Sequence, residues 1–299
     1  MKFNDSNQDI HLGPTVNVLD LNVEGISLAK SAVISKIATD NDIHVILLQE
    51  THAKSHTDLL KRCSIVEFSI AANIPHKQYG IATLVRNDIS DVKLSHKSCE
   101  NDVELLGVDV NGLNIVNIYK PPSRNWSKEV MPIFNEATAY IGDCNSHHSG
   151  WGYSHSNEDG NKLSEWIALN NYNLIINLKD RKSFRSAAHQ TETNPDLCIF
   201  NNRDDEFLSA KRKVLPDFPH SQHRPIILTF ESKIYKISSM KLPRWNFGKA
   251  DWKLYEQTLD DKIKSIEAKS SNYDSFCEAV ISAAKTSIPR GYRKKYIPG

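Results

Sequence analysis

Residues 43–52 read Ile43-His44-Val45-Ile46-Leu47-Leu48-Gln49-Glu50-Thr51-His52. The apolar run from Ile43 to Leu48 has the length and branched character of a buried strand, and it stops abruptly in four polar residues. Upstream, Val16 to Leu21 alternates as a strand does, and Leu28, Ile34, Ile37 and Ala38 recur at helical spacing. Strand, helix, strand is the pattern of a β-α-β unit. Its polar exit lies at the carboxyl end of a central strand, where α/β folds build their sites, so Glu50 is the first candidate for chemistry.

A second signal bears on the sheet. Val103 to Val110 and Leu113 to Ile118 are strand-like runs separated by Asn111-Gly112, a dipeptide whose tolerance of positive φ makes it a hairpin turn. With the short apolar segments Ile81 to Val85, Leu197 to Phe200 and Ile226 to Phe230, this favours mixed or antiparallel sheets covered by helices over an all-parallel sheet. A helix over about 162–170 carries Leu163, Trp166 and Ile167 on one face. After Phe230 the pattern changes to two amphipathic stretches, Trp252, Tyr255, Leu259, Ile263 and Ile266, then Phe276 to Ala284. The predicted organisation is a flexible N-terminus over residues 1–14, a main domain over 15–231 and a helical appendage over 232–299.

The chain has 299 residues, and 37 Lys+Arg against 36 Asp+Glu leave a net charge of +1, which excludes a polybasic coat or an acidic tail but not a local basic groove. No run approaches the roughly 20 apolar residues of a membrane span, and the first residues lack a signal-peptide core, so the expectation is an intracellular protein with no membrane partner. The five cysteines are scattered singly, without a CxxC pair, as reduced thiols rather than a disulfide or zinc framework.

The segment Gly142-Asp143-Cys144-Asn145 follows the apolar approach Ala139-Tyr140-Ile141. Asp and Asn two apart at a strand end point the same way, so a carboxylate and an amide can converge on one phosphate or water; a strand followed by an Asx turn reads the same letters equally well. His223, in Ser221-Gln222-His223-Arg224, titrates near neutrality and is a candidate acid or phosphate donor, and Asp196 in Asn194-Pro195-Asp196 is a turn residue or the orienter of a histidine. In order along the chain, Asn22, Glu24, Glu50, Tyr119, Asp143, Asn145, Ser183, Asp196 and His223 follow or precede strands. Such hard oxygen donors suit Mg²⁺ or Mn²⁺ and a phosphodiester rather than Zn²⁺ and a peptide. There is no P-loop, HExxH or GxSxG.

This ordered set resembles the endonuclease/exonuclease/phosphatase superfamily. The blocks are Leu21-Asn22-Val23-Glu24-Gly25, Leu48-Gln49-Glu50-Thr51-His52, Ile118-Tyr119-Lys120-Pro121-Pro122, Gly142-Asp143-Cys144-Asn145, Ser183-Phe184-Arg185-Ser186, Pro195-Asp196-Leu197 and Ser221-Gln222-His223. Within the superfamily they are similar to the apurinic-endonuclease-like domain of non-LTR retrotransposons of the Jockey/RTE-like kind. Residues 244–252 and 283–291 resemble the stretch that joins this domain to a reverse transcriptase. The resemblance implies an α/β fold, a four-layer α/β sandwich of two mixed β-sheets flanked by helices (DNase I-like), with a C-terminal helical linker toward a reverse transcriptase. It implies Mg²⁺- or Mn²⁺-dependent nicking of one strand of double-stranded DNA to leave a primer 3′-hydroxyl, with element RNA and reverse transcriptase as partners and nuclear action on chromosomal DNA.

Carried over by position, the resemblance makes Glu50 the principal metal ligand with Asn22 and Glu24 near it, Asp143 the activator of water and Asn145 its partner. Tyr119 lies near the scissile phosphate, His223 contacts it, and Asp196 and Ser183 support. Lys120, Arg124, Arg185, Ser221 and Arg224 are the implied DNA contacts. One position departs from the pattern: Gln222 replaces a carboxylate that pairs with the histidine or assists the metal, which predicts a lowered His223 pKa and reduced or altered activity. Two alternatives follow, an inactivated or co-opted nucleic-acid-binding domain and a small-molecule phosphatase or phosphodiesterase of the same fold.

Overall fold

The computed structural model describes residues 10–11, 15–110, 112–201, 209–231, 235–236 and 244–291. Most of the predicted N-terminal extension, Asn111 of the predicted turn, residues 232–234 at the predicted boundary and the basic tail from 292 onward lie outside these. The chain divides into two compact units, Met1–Ile237 and Ser238–Gly299.

In chain order, the first unit contains β1 (Thr15–Asn22), α1 (Leu28–Asp40), β2 (Val45–Gln49), α2 (His56–Arg62), β3 (Phe68–Ile74), β4 (Ile81–Arg86) and β5 (Val92–Glu100). There follow β6 (Val103–Val110), β7 (Leu113–Tyr119), β8 (Thr138–Asp143), α3 (Glu158–Leu169) and β9 (Asn173–Leu174). The last are β10 (Phe184–Arg185), β11 (Glu192–Thr193), β12 (Asp196–Asn201), β13 (Ala210–Val214) and β14 (Ile226–Glu231). One six-stranded sheet runs β13-β14-β1-β2-β4-β3 and the other β9-β12-β8-β7-β6-β5. Each contains a single parallel pair, β1 with β2 and β7 with β8, among antiparallel neighbours. The sheets are therefore mixed, as the hairpin and the β-α-β pattern together required.

The two-residue period of the strands sorts the side chains into layers. Val16 and Val18 of β1, Val45 and Leu47 of β2, Leu113 and Ile115 of β7, Ala139 and Ile141 of β8 and Phe200 of β12 face the other sheet and form the seam. The alternate residues Leu19, Leu21, Ile46 and Leu48 pack under α1 and α2 with Ile34, Ala38 and Leu59. On the opposite side, Val116, Ile118, Tyr140 and Ile199 pack under α3 (Leu163, Trp166, Ile167) and the 126–131 loop (Trp126, Val130, Met131). Helix, sheet, sheet, helix gives the four layers. The α3 helix begins at Glu158, earlier than its apolar face suggests, because the Asn157 side chain accepts from the Gly160 amide and Glu158 and Asp159 favour the first turn.

Followed along each inner face, the seam changes character. Val16 and Val18 give way to Asp20 and Asn22, Val45 and Leu47 to Gln49, Leu113 and Ile115 to Asn117 and Tyr119, and Ile141 to Asp143, all of them buried. At the same end β12 starts with Asp196, and His223 precedes β14. A sandwich that is apolar at one end and polar at the other holds together only if the polar groups find partners, since an unpaired one costs about 1–3 kcal/mol.

In the second unit, α4 (Trp252–Ile263) and α5 (Tyr273–Ser287) pack against each other, and Arg244–Trp245 pairs antiparallel with Arg290–Gly291. The Arg290 guanidinium lies 3.9 Å from the centre of the Trp245 ring. No described helix is long and apolar enough to cross a membrane.

The close approach of β7 to β8 depends on Gly142. Its φ is 141°, and a Cβ there would lie 2.1 Å from the Ile118 carbonyl oxygen. Gly142→Ala is expected to lower stability by at least about 2 kcal/mol, as overpacking does, in a urea titration; an unchanged midpoint would show that the strands part freely.

Candidate active site

The polar end of the seam converges on one amide. Asn22 Nδ2 donates to Glu50 Oε1 at 2.9 Å and to Asp143 Oδ2 at 3.0 Å, so a single side chain of β1 joins a carboxylate beyond β2 to one at the end of β8 on the other sheet. The Tyr119 hydroxyl donates to the same Glu50 oxygen at 2.9 Å, and His52 Nε2 lies 3.4 Å from the second. Burial and the Glu50 and Asp143 charges push the Tyr119 phenol far above its usual range, so it stays a donor.

Beside Asp143 sits a second cluster. His223 Nδ1 lies 3.0 Å from both oxygens of Asp196, and His223 Nε2 lies 3.8 Å from Asp143 Oδ2. Burial alone would lower the imidazole pKa, but Asp196, through charge and hydrogen bonding, and then Asp143 and Glu24 raise it to about 10. Asp143 is shifted upward, first by burial and then by Asp196, with His223 opposing. Asp196 is held low against its own burial by the imidazolium, through charge and hydrogen bonding. His223 is thus an internal cation between two carboxylates.

Several of these groups stand on unusual backbone. Glu24, Glu50, His52, Asn145 and His220 have φ between 41° and 55°, a region that non-glycine residues occupy at some cost. The cost is met by hydrogen bonds: Thr51 and His52 donate to the Gly80 and Tyr79 carbonyls, and Gly25 and Ile26 donate to the Glu50 and Thr51 carbonyls. Asn145 is fixed by its own amide on Asp143 Oδ1 at 3.2 Å and its side chain on the Lys120 carbonyl at 3.1 Å.

Asp143, Asp196 and His223 offer potential ligand atoms within 4.8 Å of one another, a geometry that resembles a metal site. With the imidazole protonated and Nδ1 engaged by Asp196, this trio already contains its cation. The better fit to a hard divalent ion is Glu50 with Asp143, two carboxylates oriented by the Asn22 NH2 group while the Asn22 oxygen accepts from the Glu24 amide, and with Glu50 partly open to solvent. Two such carboxylates repel unless a positive charge lies near them.

Other assigned residues are placed differently. Lys120, expected to contact DNA, is fully buried, its ammonium 3.1 Å from Asp159 and 2.7 Å from the Arg124 carbonyl; the acidic first turn of α3 has captured it. Arg224, also expected on DNA, is buried and held by Asp217, Glu192 and the Lys182 carbonyl. The Ser221 hydroxyl donates to the Asn22 carbonyl and accepts from the His223 amide, fastening the histidine loop to β1. Glu24 does not join Glu50; its carboxylate accepts from the Gln222 amide at 2.8 Å. Arg124 is half-exposed and paired with Asp102, and Arg185 is exposed, so these two cations remain on the surface.

The lowered His223 pKa expected from Gln222 is overturned. The Gln222 side chain accepts from the Ala187 amide at 2.9 Å, and the carboxylate that charges His223 is Asp196. Trp151 is buried with its indole N–H on the Ser146 carbonyl, and Cys144 is buried in the outer core. Lys30, Asp20, Gln49 and Asn117 were not singled out in the sequence. The buried Lys30 ammonium binds the carbonyls of Val23, Glu24 and His220, tying two loops of the centre together. For Asp20 the available signal was its place on the face of Val16 and Val18.

The family described as endonuclease-reverse transcriptase matches residues 113–227, a stretch spanning Tyr119, the Asp143–Asn145 turn, Asp196 and His223. The chain's fold is shared with solved structures of low identity. The endonuclease domain of TRAS1, a telomere-specific non-LTR retrotransposon, aligns with TM-score 0.52 and 15% identity over 73% of this chain and 99% of that one. The AP endonuclease LMAP from Leishmania major gives 0.54 and 14% over 73% and 88%, and the 3′ phosphatase NExo from Neisseria gives 0.52 and 12% over 72% and 99%. No curated protein sequence matches significantly.

Two measurements test this geometry. By NMR, the His223 imidazole is expected to keep its proton to about pH 10, and Asp196→Asn to lower that value; a wild-type titration near 6.5 would overturn the charged cluster. Folding raises this pKa, so the associated stability is complete below about pH 6.5 and is lost as pH climbs through about 10. Separately, Lys120→Met is expected to cost about 3–5 kcal/mol in stability by stranding Asp159, while Arg185→Ala leaves stability within about 0.5 kcal/mol. Calorimetry on both variants distinguishes the buried ion pair from a surface contact.

Proposed function

We propose that this domain is a divalent-metal-dependent DNA endonuclease of a non-LTR retroelement, nicking one strand and leaving a 3′-hydroxyl that primes reverse transcription. The observation that carries the reading is the Asn22 amide holding Glu50 and Asp143 beside the charged His223–Asp196 pair, within a chain whose 113–227 segment matches an endonuclease-reverse transcriptase family. The corresponding partners are double-stranded DNA, the element RNA and a reverse transcriptase, and the place of action is the nucleus.

Glu50 and Asp143, oriented by the Asn22 amide beside them, would hold Mg²⁺ or Mn²⁺, which when bound supplies charge neutralisation for the phosphodiester. Asp143, its pKa raised by burial, accepts the proton of the attacking water, a carboxylate tuned toward neutral pH being a better base than an ordinary one. Asn145, turned by its left-handed backbone, lies next to that carboxylate and orients the water. His223 presents Nε2 with its proton to a nonbridging phosphate oxygen, and Asp196 keeps it charged. Tyr119, held on Glu50, donates near the same phosphate. Arg185 and Arg124 are the surface cations available to the DNA backbone.

Gln222 does not remove the partner of His223, so a decayed centre loses its main support. The test is conversion of supercoiled plasmid to open circle with Mg²⁺, with abasic duplex and 3′-phosphate DNA run beside it. Nicking is expected to stop with chelator and to fall at least about a hundredfold in Glu50→Ala and Asp143→Ala. The nick is expected to be extended directly by a polymerase. A folded, metal-supplied protein that nicks none of these DNAs would overturn the reading.

A further inference from the structure

One layer below the proposed centre, a side chain of one sheet reaches across the seam to the other. Asn117, fully buried on the inner face of β7, lies two residues before Tyr119. Its Nδ2 donates to the Ala82 carbonyl at 3.0 Å and the Leu48 carbonyl at 3.3 Å, on β4 and β2 of the opposite sheet. Its Oδ1 accepts from Gln49 Nε2 at 2.8 Å, and the same nitrogen donates to Asp20 Oδ1 at 2.8 Å. Both amide hydrogens and the carbonyl are thereby directed at the other sheet. Two of the three contacts are made to Leu48 and Gln49, the residues immediately before Glu50.

We propose that Asn117 is a positioning residue that sets the separation of Glu50, on one sheet, from Asp143 and Tyr119, on the other, and with it the fit of the divalent-cation site. The inference rests on the metal-dependent reading above. Apolar contacts such as those of Val108 and Val18 hold the sheets together without direction, so they leave small sliding motions cheap. Hydrogen bonds weaken steeply with distance and angle, and three on one rigid amide define both spacing and register. The pair that needs this definition is joined across the seam by the Asn22 amide, at 2.9 and 3.0 Å.

The test compares Asn117→Leu, which keeps the branched skeleton at a larger volume and removes the hydrogen bonds, with Val108→Ala, a seam variant at the apolar end chosen for a loss of thermal stability. Mn²⁺ affinity is measured by electron paramagnetic resonance on the folded proteins, and the Mg²⁺ concentration for half-maximal nicking is measured beside it. Asn117→Leu is expected to weaken Mn²⁺ binding at least about tenfold, as loss of a residue that orients metal ligands does, while Val108→Ala at an equal or greater loss of Tm keeps the parental affinity. The inference is overturned if Asn117→Leu binds Mn²⁺ as the parent does, if both variants weaken alike, or if the parent binds no Mn²⁺. A parent that binds Mn²⁺ and nicks no DNA would remove the nuclease reading, and the affinity comparison would still decide the role of Asn117.

Discussion

The arrangement of this domain depends on the bridge that Asn22 makes between Glu50 and Asp143. It joins the two sheets at the point where the seam between them has become polar, and it does so between groups of like charge. An amide can satisfy both carboxylates with its two hydrogens, but it supplies no net charge. The repulsion is left for an external cation or a nearby imidazolium to offset, and the structure provides the second in His223. Stability and chemistry therefore draw on the same few atoms.

The charged pair of His223 and Asp196 illustrates why a motif read one residue at a time misleads. Gln222 stands beside His223 in the chain, yet its side chain turns away to the Ala187 amide. Asp196, distant in sequence, meets the imidazole because β12 pairs antiparallel with β8 in the register Asp196 to Asp143, which brings the two carboxylates to one end of the sheet. The partner of a buried ionisable group is chosen by strand register, and burial makes that partner decisive, since low polarity magnifies each interaction.

Backbone geometry explains a second group of residues. Glu50 was legible as an abrupt polar ending to an apolar run, but its left-handed φ of 50° and its support by the 79–80 turn were not, because no local propensity calls for a glutamate there. Tertiary hydrogen bonds override the local preference, as they do at Glu24 and Asn145. Conversely, the basic side chains given as DNA contacts were carried over by position from the resemblance, which says nothing of their partners in this fold. Lys120 is consumed in a buried ion pair with Asp159, and the buried Arg224 guanidinium is engaged by the exposed carboxylates of Asp217 and Glu192.

Period-two alternation in β1, the β-branched run of β2, the hairpin of β6 and β7 and the helical spacing of α1 and α3 lie within single segments, so the sequence alone determined the mixed sheets, the covering helices and the strand ends on which Asn22, Glu50, Tyr119, Asp143 and Asp196 sit. Tertiary structure decided which of those polar ends face one another, which cations are consumed internally and which buried amides, Asn117 and Gln49 among them, link the sheets. The physical reason is range: patterning acts over a few residues of one chain segment, whereas hydrogen-bond partners and electrostatic surroundings exist only once segments distant in sequence have been packed together.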